Sequence, residues 1–294
     1  MSASAQPGVG AGPQLVLIDG LPHVDAPAAV SPLDRGLHFG DGVFETIACI
    51  KGRARFLSLH LDRLTRSCER LRIGLGDGAT VRHEIEQAAA GADSSLIKFI
   101  VTRGAAVVRG YGWSGNESAT RVLLRYAWPA EDTNSQRQGV RVGIARMRLG
   151  ENPALAGMKH LNRLEQVLAR SEVSGKEAAD LLVFSSSGRL ASGTMSNVFI
   201  VRNGRLITPS MNLCGVAGVM RRVVLREANA LGVIAEEGTV LESDLEGAQE
   251  LFLTNARIGI WPVRALAGRS LAIGAITRRL QERIDPLLVN PVDA

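Results

Sequence analysis

Aromatic side chains are scarce in this 294-residue chain: three Trp, two Tyr and seven Phe make up 4% of it. With so few rings to stack on bases, and with arginines scattered rather than clustered, no nucleic-acid groove is indicated. Cysteine is equally sparse. Cys49, Cys68 and Cys214 are odd in number, far apart and free of any CxxC pair, which excludes a disulfide framework and a zinc site. A reducing compartment, the cytoplasm, is expected. No uncharged apolar run approaches the roughly 18 residues that a membrane helix needs, so no membrane partner is expected. The first thirteen residues have neither the basic start nor the apolar centre of a signal peptide, and 1–13 is expected to be a flexible tail. Neither sign of charge dominates: 34 Lys and Arg stand against 29 Asp and Glu, for a net +5. That surplus suits an anionic small molecule.

What the chain has in quantity is apolar aliphatic residues. It is 46% hydrophobic and 21% charged, the profile of a globular protein with material for more than one core. Short or alternating apolar runs predict strands over 15–18, 43–50, 96–102 and 122–127, then over 140–146, 181–184, 197–201, 205–207 and 250–254. Lys51-Gly52 and Asn203-Gly204 read as hairpin turns. Leu57, Leu61, Leu64, Cys68 and Leu71 form the stripe of an amphipathic helix, and further helices are expected over 81–90, 162–172 and 219–230. The polar, proline-containing stretch 128–138 reads as a linker. It divides an N-terminal α+β domain, 14–127, from a C-terminal one, 139–294, with no strict βαβ rhythm.

Several residues could carry chemistry. Lys159 lies in a short loop before the 162–172 helix, beside Gly157. A lysine that attacks a carbonyl needs rigid support and partial desolvation to lower its pKa, but by spacing alone a surface lysine at a helix start is the simpler reading. Val216 and Ala217, between Gly215 and Gly218, precede the 219–230 helix, where free N–H groups and the helix dipole can receive an anion. Thr254 and Asn255 end an apolar strand, where they suit either an anion contact or a plain strand-end cap.

The segment 157–170, Gly-Met-Lys-His-Leu-Asn-Arg-Leu-Glu-Gln-Val-Leu-Ala-Arg, resembles the lysine segment of bacterial aminodeoxychorismate lyases. These belong with the branched-chain and D-amino-acid aminotransferases to the fold-type IV pyridoxal-phosphate enzymes. Four further segments agree in order and spacing: 34–46, 60–64, 215–221 and 254–256. The resemblance implies a two-domain α+β fold of the D-amino-acid aminotransferase type, a homodimer, pyridoxal 5'-phosphate as cofactor, and release of pyruvate from 4-amino-4-deoxychorismate to give 4-aminobenzoate. By the same resemblance Lys159 anchors the cofactor and is the catalytic residue, while Arg63, Val216, Ala217, Thr254 and Asn255 hold its phosphate. Arg109 is matched to an arginine that binds a substrate carboxylate, with Arg103 in reserve and Tyr111 and His38 as further substrate-binding candidates. His38 and His160 read as neutral, loop-fixing histidines as readily as proton carriers.

One position departs from the family pattern. Relatives set a glutamate against the pyridine nitrogen, and Gly188-Arg189-Leu190-Ala191-Ser192 here offers Ser192. A hydroxyl cannot hold that nitrogen protonated as a carboxylate does, which favours elimination over amino transfer. Two alternatives stay open: a branched-chain or D-amino-acid aminotransferase, and a non-catalytic binding protein on the same fold.

Overall fold

The computed structural model describes residues 12–23, 29–129, 133–173, 177–291 and 293; residues 1–11 of the expected tail lie outside them. The chain forms two compact units, Met1–Glu131 with Asn290–Ala294, and Asp132–Val289. The last five residues therefore group with the first unit and not with the C-terminal half in which the sequence reading placed them.

The first unit runs β1 (Leu15–Ile18), β2 (Leu21–Pro22), α1 (Arg35–Phe39), β3 (Gly42–Ile50), β4 (Arg53–Ala54), α2 (Leu57–Leu71), α3 (Gly78–Ala90), β5 (Ser94–Thr102) and β6 (Thr120–Ala127). Its six strands make one antiparallel sheet in the order β2-β1-β6-β5-β3-β4. The expected turn at Lys51-Gly52 joins β3 to β4 with positive φ at both residues, the geometry that fits the twist of a hairpin. Alternation along β5 sends Ile97, Phe99 and Val101 into the core. There they meet Leu57, Leu64 and Cys68 of α2 and Val81 and Ile85 of α3. Each fully buried aliphatic or Phe side chain contributes about 1.5–3 kcal/mol.

The α2 helix begins at Phe56, which has positive φ and no side-chain cap of its own. Asp293 supplies one: its Oδ1 accepts from Ser58 N (2.6 Å), and its Oδ2 from Ser58 Oγ (2.8 Å) and Arg82 Nη1 (2.7 Å). A carboxylate at a helix N-terminus satisfies an orphan donor and opposes the helix dipole.

The second unit runs α4 (Thr133–Gln138), β7 (Val140–Leu149), α5 (Leu164–Ser171), β8 (Asp180–Ser185), β9 (Leu190–Gly193), β10 (Asn197–Arg202), β11 (Arg205–Pro209), α6 (Val219–Ala230), β12 (Ala235–Gly238), α7 (Glu242–Glu246), β13 (Glu250–Asn255), β14 (Gly259–Leu266), β15 (Arg269–Ser270) and α8 (Ala275–Val289). A short helix, α4, thus occupies much of the stretch expected as a linker. The strands follow the order β12-β11-β10-β13-β14-β7-β8-β9, with β15 on β14. This sheet is mixed: β12 on β11, β7 on β14 and β8 on β7 are parallel, the rest antiparallel. Strands β8 and β13 are apolar along most of their length, as strands covered on both faces are. Phe199 and Phe252, directly paired across β10 and β13, stack with centroids 4.9 Å apart.

Candidate active site

In the second unit the chain between β7 and α5 carries Lys159, which is half-buried. Its loop is knitted by Ala156 N and Leu155 N donating to Asn152 O, and by Met158 N donating to Leu155 O. Arg163 grips the two carbonyls that flank the lysine: Nε donates to His160 O (2.8 Å) and Nη2 to Met158 O (3.3 Å). Burial, and then the nearby Arg163 charge, push His160 down to about 4. It is therefore neutral near pH 7.

Gly157 ties this loop to the start of α6. Gly157 N donates to Gly215 O and Ala217 N donates to Gly157 O, each at 3.0 Å, forming a parallel bridge between Gly157 and Val216. Gly157 has φ +80, a conformation that L side chains adopt only with strain. The Ala217 N–H, expected to face an anion, is instead part of this bridge, while the Val216 N–H takes no part in it. Helix α6 follows Gly218, its N-cap, without a side-chain cap, so its first turn offers backbone donors and a positive dipole end.

Asn197 braces the same turn. Its Nδ2 donates to Val216 O (2.9 Å), and its Oδ1 would lie 2.0 Å from a Cβ placed on Gly218, so only glycine lets the two approach. In register opposite Asn197 on β13 is Thr254, fully buried, with its hydroxyl donating to Gly259 O (2.7 Å). Asn255 Oδ1 accepts from Arg257 N and Ile258 N, and its Nδ2 donates to Met195 O. Both residues therefore shape the β13–β14 turn. From Gly157 through Val216 and Asn197 to Thr254, the second unit brings together the loop of Lys159 and the expected phosphate contacts. Asn197 is a residue that the sequence marks only as the start of the 197–201 strand.

Ser192 is buried on β9, paired with Val183. Its Oγ donates to Gly193 O (2.7 Å). The turn that follows is held by the buried Asp180 carboxylate, which accepts from Thr194 N, Thr194 Oγ1 and Ser196 Oγ.

In the first unit Arg63 is buried on α2, not projecting to solvent. Its Nε and Nη2 donate to Oε1 and Oε2 of Glu45 on β3, and His60 Nδ1 lies 2.6 Å from Glu45 Oε2. Burial alone would raise the Glu45 carboxyl, but the charges and hydrogen bonds of Arg63 and His60 outweigh it and hold it at about 2. An ionised Glu45 fixes the Arg63 guanidinium in one plane. The sequence carried a signal for this pairing, since Glu45 and Arg63 fall in two of the matched segments.

The remaining expected residues lie around the chain between β5 and β6. Arg109 and Tyr111 are exposed. His38 donates from Nε2 to Pro32 O (2.7 Å) and sits edge-on to Phe39. Arg103 is buried and pairs with Asp41 through Nε (2.8 Å) and Nη2 (3.0 Å); Nη1 donates to Arg72 O and Nη2 to Leu71 O. Arg103, expected as a reserve substrate contact, is thus engaged at every nitrogen in joining α1 to the end of α2.

Residues 42–266 match the family described as amino-transferase class IV. The chain is 35% identical over 272 residues to an aminodeoxychorismate lyase of Vibrio harveyi, covering 91% of this chain and 98% of that one. It is 30% identical over 263 residues to a putative branched-chain-amino-acid aminotransferase of Methanocaldococcus jannaschii, covering 87% and 90%. Among solved structures, a 4-amino-4-deoxychorismate lyase from Pseudomonas aeruginosa superposes with a TM-score of 0.89 at 42% identity, over 94% of this chain and all of the other. With these matches along nearly its whole length and a two-unit α+β architecture, the chain belongs to the class IV aminotransferase family.

Proposed function

We propose that this chain is a pyridoxal 5'-phosphate-dependent 4-amino-4-deoxychorismate lyase. The observation that carries the reading is the pair of backbone hydrogen bonds joining the Lys159 loop to the uncapped start of α6, in a chain similar over 91% and 94% of its length to two lyases. The residues present fit the cofactor: Lys159 to hold it covalently, and the Val216 N–H and first turn of α6 to receive its phosphate, braced by Asn197 and Thr254. Arg63, fixed by Glu45, supplies a cationic phosphate contact in the same reading.

When bound, the cofactor supplies an electron sink beside the substrate carbon that bears the amino group. With the cofactor held there, the Lys159 amine would be placed to remove the proton from that ring carbon. The resulting ammonium donates the proton to the enolpyruvyl ether oxygen as its bond to the ring breaks. Pyruvate would then leave as the ring becomes aromatic, giving 4-aminobenzoate. Arg109 binds a substrate carboxylate. His160, neutral at working pH, adds no competing positive charge beside the amine.

Aminotransferase activity is the second reading, favoured by the relative from Methanocaldococcus jannaschii. Incubation with chorismate, glutamine and an aminodeoxychorismate synthase separates the two. A lyase yields 4-aminobenzoate and pyruvate with no keto acid added, whereas an aminotransferase yields neither. A homodimer in the cytoplasm belongs to the same proposal. The exposed Leu164, Val167 and Leu168 on α5 support association, and sedimentation equilibrium tests it. Among the described residues no helix is long and apolar enough to cross a membrane.

A further inference from the structure

Between β5 and β6, residues 107–111 leave their side chains largely in solvent: Val107, Val108, Arg109 and Tyr111 are all exposed. With so little burial to order it, such a segment depends on what holds its backbone. Arg35 does so. Its Nη1 donates to Gly110 O (3.1 Å) and Gly112 O (2.9 Å), and its Nη2 to Tyr111 O (2.9 Å), so one guanidinium engages three successive carbonyls. Its Nε donates to Asp41 Oδ2 (2.9 Å), an oxygen that also accepts from Arg103. The guanidinium carbon lies 4.9 Å from the centre of the Phe39 ring, which is 5.2 Å from the Tyr111 ring. Arg103 adds a second hold, its guanidinium 4.4 Å from the Trp113 ring centre.

Arg35 is buried although charged, and the ion pair with Asp41 would by itself offset part of that cost. The three carbonyls use three of the four remaining N–H donors of a planar fork, an arrangement that an ammonium group cannot reproduce. We propose that Arg35 is a positioning residue for substrate recognition, holding the 110–112 backbone so that the adjacent Arg109 is presented in order to a substrate carboxylate; this rests on the lyase reading above. Loosening the segment then costs binding while leaving the lysine chemistry in place, because the lost order must be restored at each binding event.

The test uses the holoenzyme with Arg35→Ala and Arg35→Lys, measured for KM and kcat in the lyase reaction and for amide hydrogen exchange. Expected are a KM raised roughly tenfold with kcat held within about twofold, and faster exchange over 107–113 with α2 and β5 unchanged. Arg35→Ala added to Arg109→Ala should raise KM no further than Arg109→Ala alone, since both act on one contact. An unchanged KM, a fall in kcat alone, or full additivity overturns the proposal. If Arg35→Ala does not fold, Arg35→Lys, which keeps a cation beside Asp41, gives the same readouts. Failure of the lyase reading shows separately, as absence of turnover in the unaltered protein; unchanged exchange over 107–113 overturns the clamp whatever the activity.

Discussion

Ala217 donates its backbone N–H to the carbonyl of Gly157, two residues before Lys159. The lysine loop and the start of α6 are therefore one fastened piece, and the group that anchors a cofactor and the groups that receive its phosphate keep a fixed spacing. Gly157→Ala places a Cβ on a left-handed residue and should cost roughly 1–2 kcal/mol. Urea denaturation measures that loss, and titration with pyridoxal 5'-phosphate should show weaker retention alongside it. Unaltered retention would count against the bridge as the element that sets this spacing.

Lys159→Ala should abolish 4-aminobenzoate formation and the covalent fixation of cofactor by borohydride, with the circular dichroism of the fold intact. The side chain is half-buried in a loop held by other residues, so its loss removes chemistry and not structure. A variant that still turns over would end the proposed mechanism.

Ser192 gives its proton to Gly193 O and so brings no charge to its surroundings. Ser192→Glu introduces the carboxylate that the resemblance places there, and with it a stronger electron sink. The ratio of amino transfer to pyruvate release should rise, measured by following keto-acid consumption against 4-aminobenzoate. An unchanged ratio would remove Ser192 from the account of why this chain eliminates.

The Glu45 carboxylate, held at about 2 by Arg63 and His60 against the opposing effect of burial, links stability to pH. A folded-state pKa below the unfolded value means the contribution is fully present above about 4.5 and is lost as pH falls towards about 2. The amount is on the order of 3 kcal/mol. Urea unfolding across that window should show a steep loss for the unaltered protein and a shallower one for Glu45→Gln. That variant should also be less stable at neutral pH, since it leaves the Arg63 charge buried without its counter-ion.

Much of the fold is legible in the sequence where one periodicity governs one element. The stripe Leu57, Leu61, Leu64 and Cys68 marks α2 because that helix buries a single face. Lys51-Gly52 and Asn203-Gly204 mark hairpins because both residues of each turn take positive φ. Other elements are hidden. Strand β14 contains Pro262, which reads as a strand breaker, β9 is four short residues ending in Gly193, and α8 carries Pro286 within it. For the site, the lysine and the glycine turn were legible as a resemblance. Their supports were not, because they depend on contacts between distant residues: Arg35 meets Gly110 across 75 positions, and Glu45 meets Arg63 across 18. Arg103 shows the converse, since an arginine in the expected place proves to be engaged in holding the unit together.

The cap on α2 bears on how the protein is made. Ser58 and Asp293 are separated by 235 positions, with the whole second unit between them. A growing chain on the ribosome builds its N-terminal domain first, so the helix that carries His60 and Arg63 must form with its first turn unsealed. It acquires Asp293 only after the second unit has been synthesised. Completion of the first unit is thus timed by translation, because the residue that seals α2 follows the whole lysine-bearing unit in the chain.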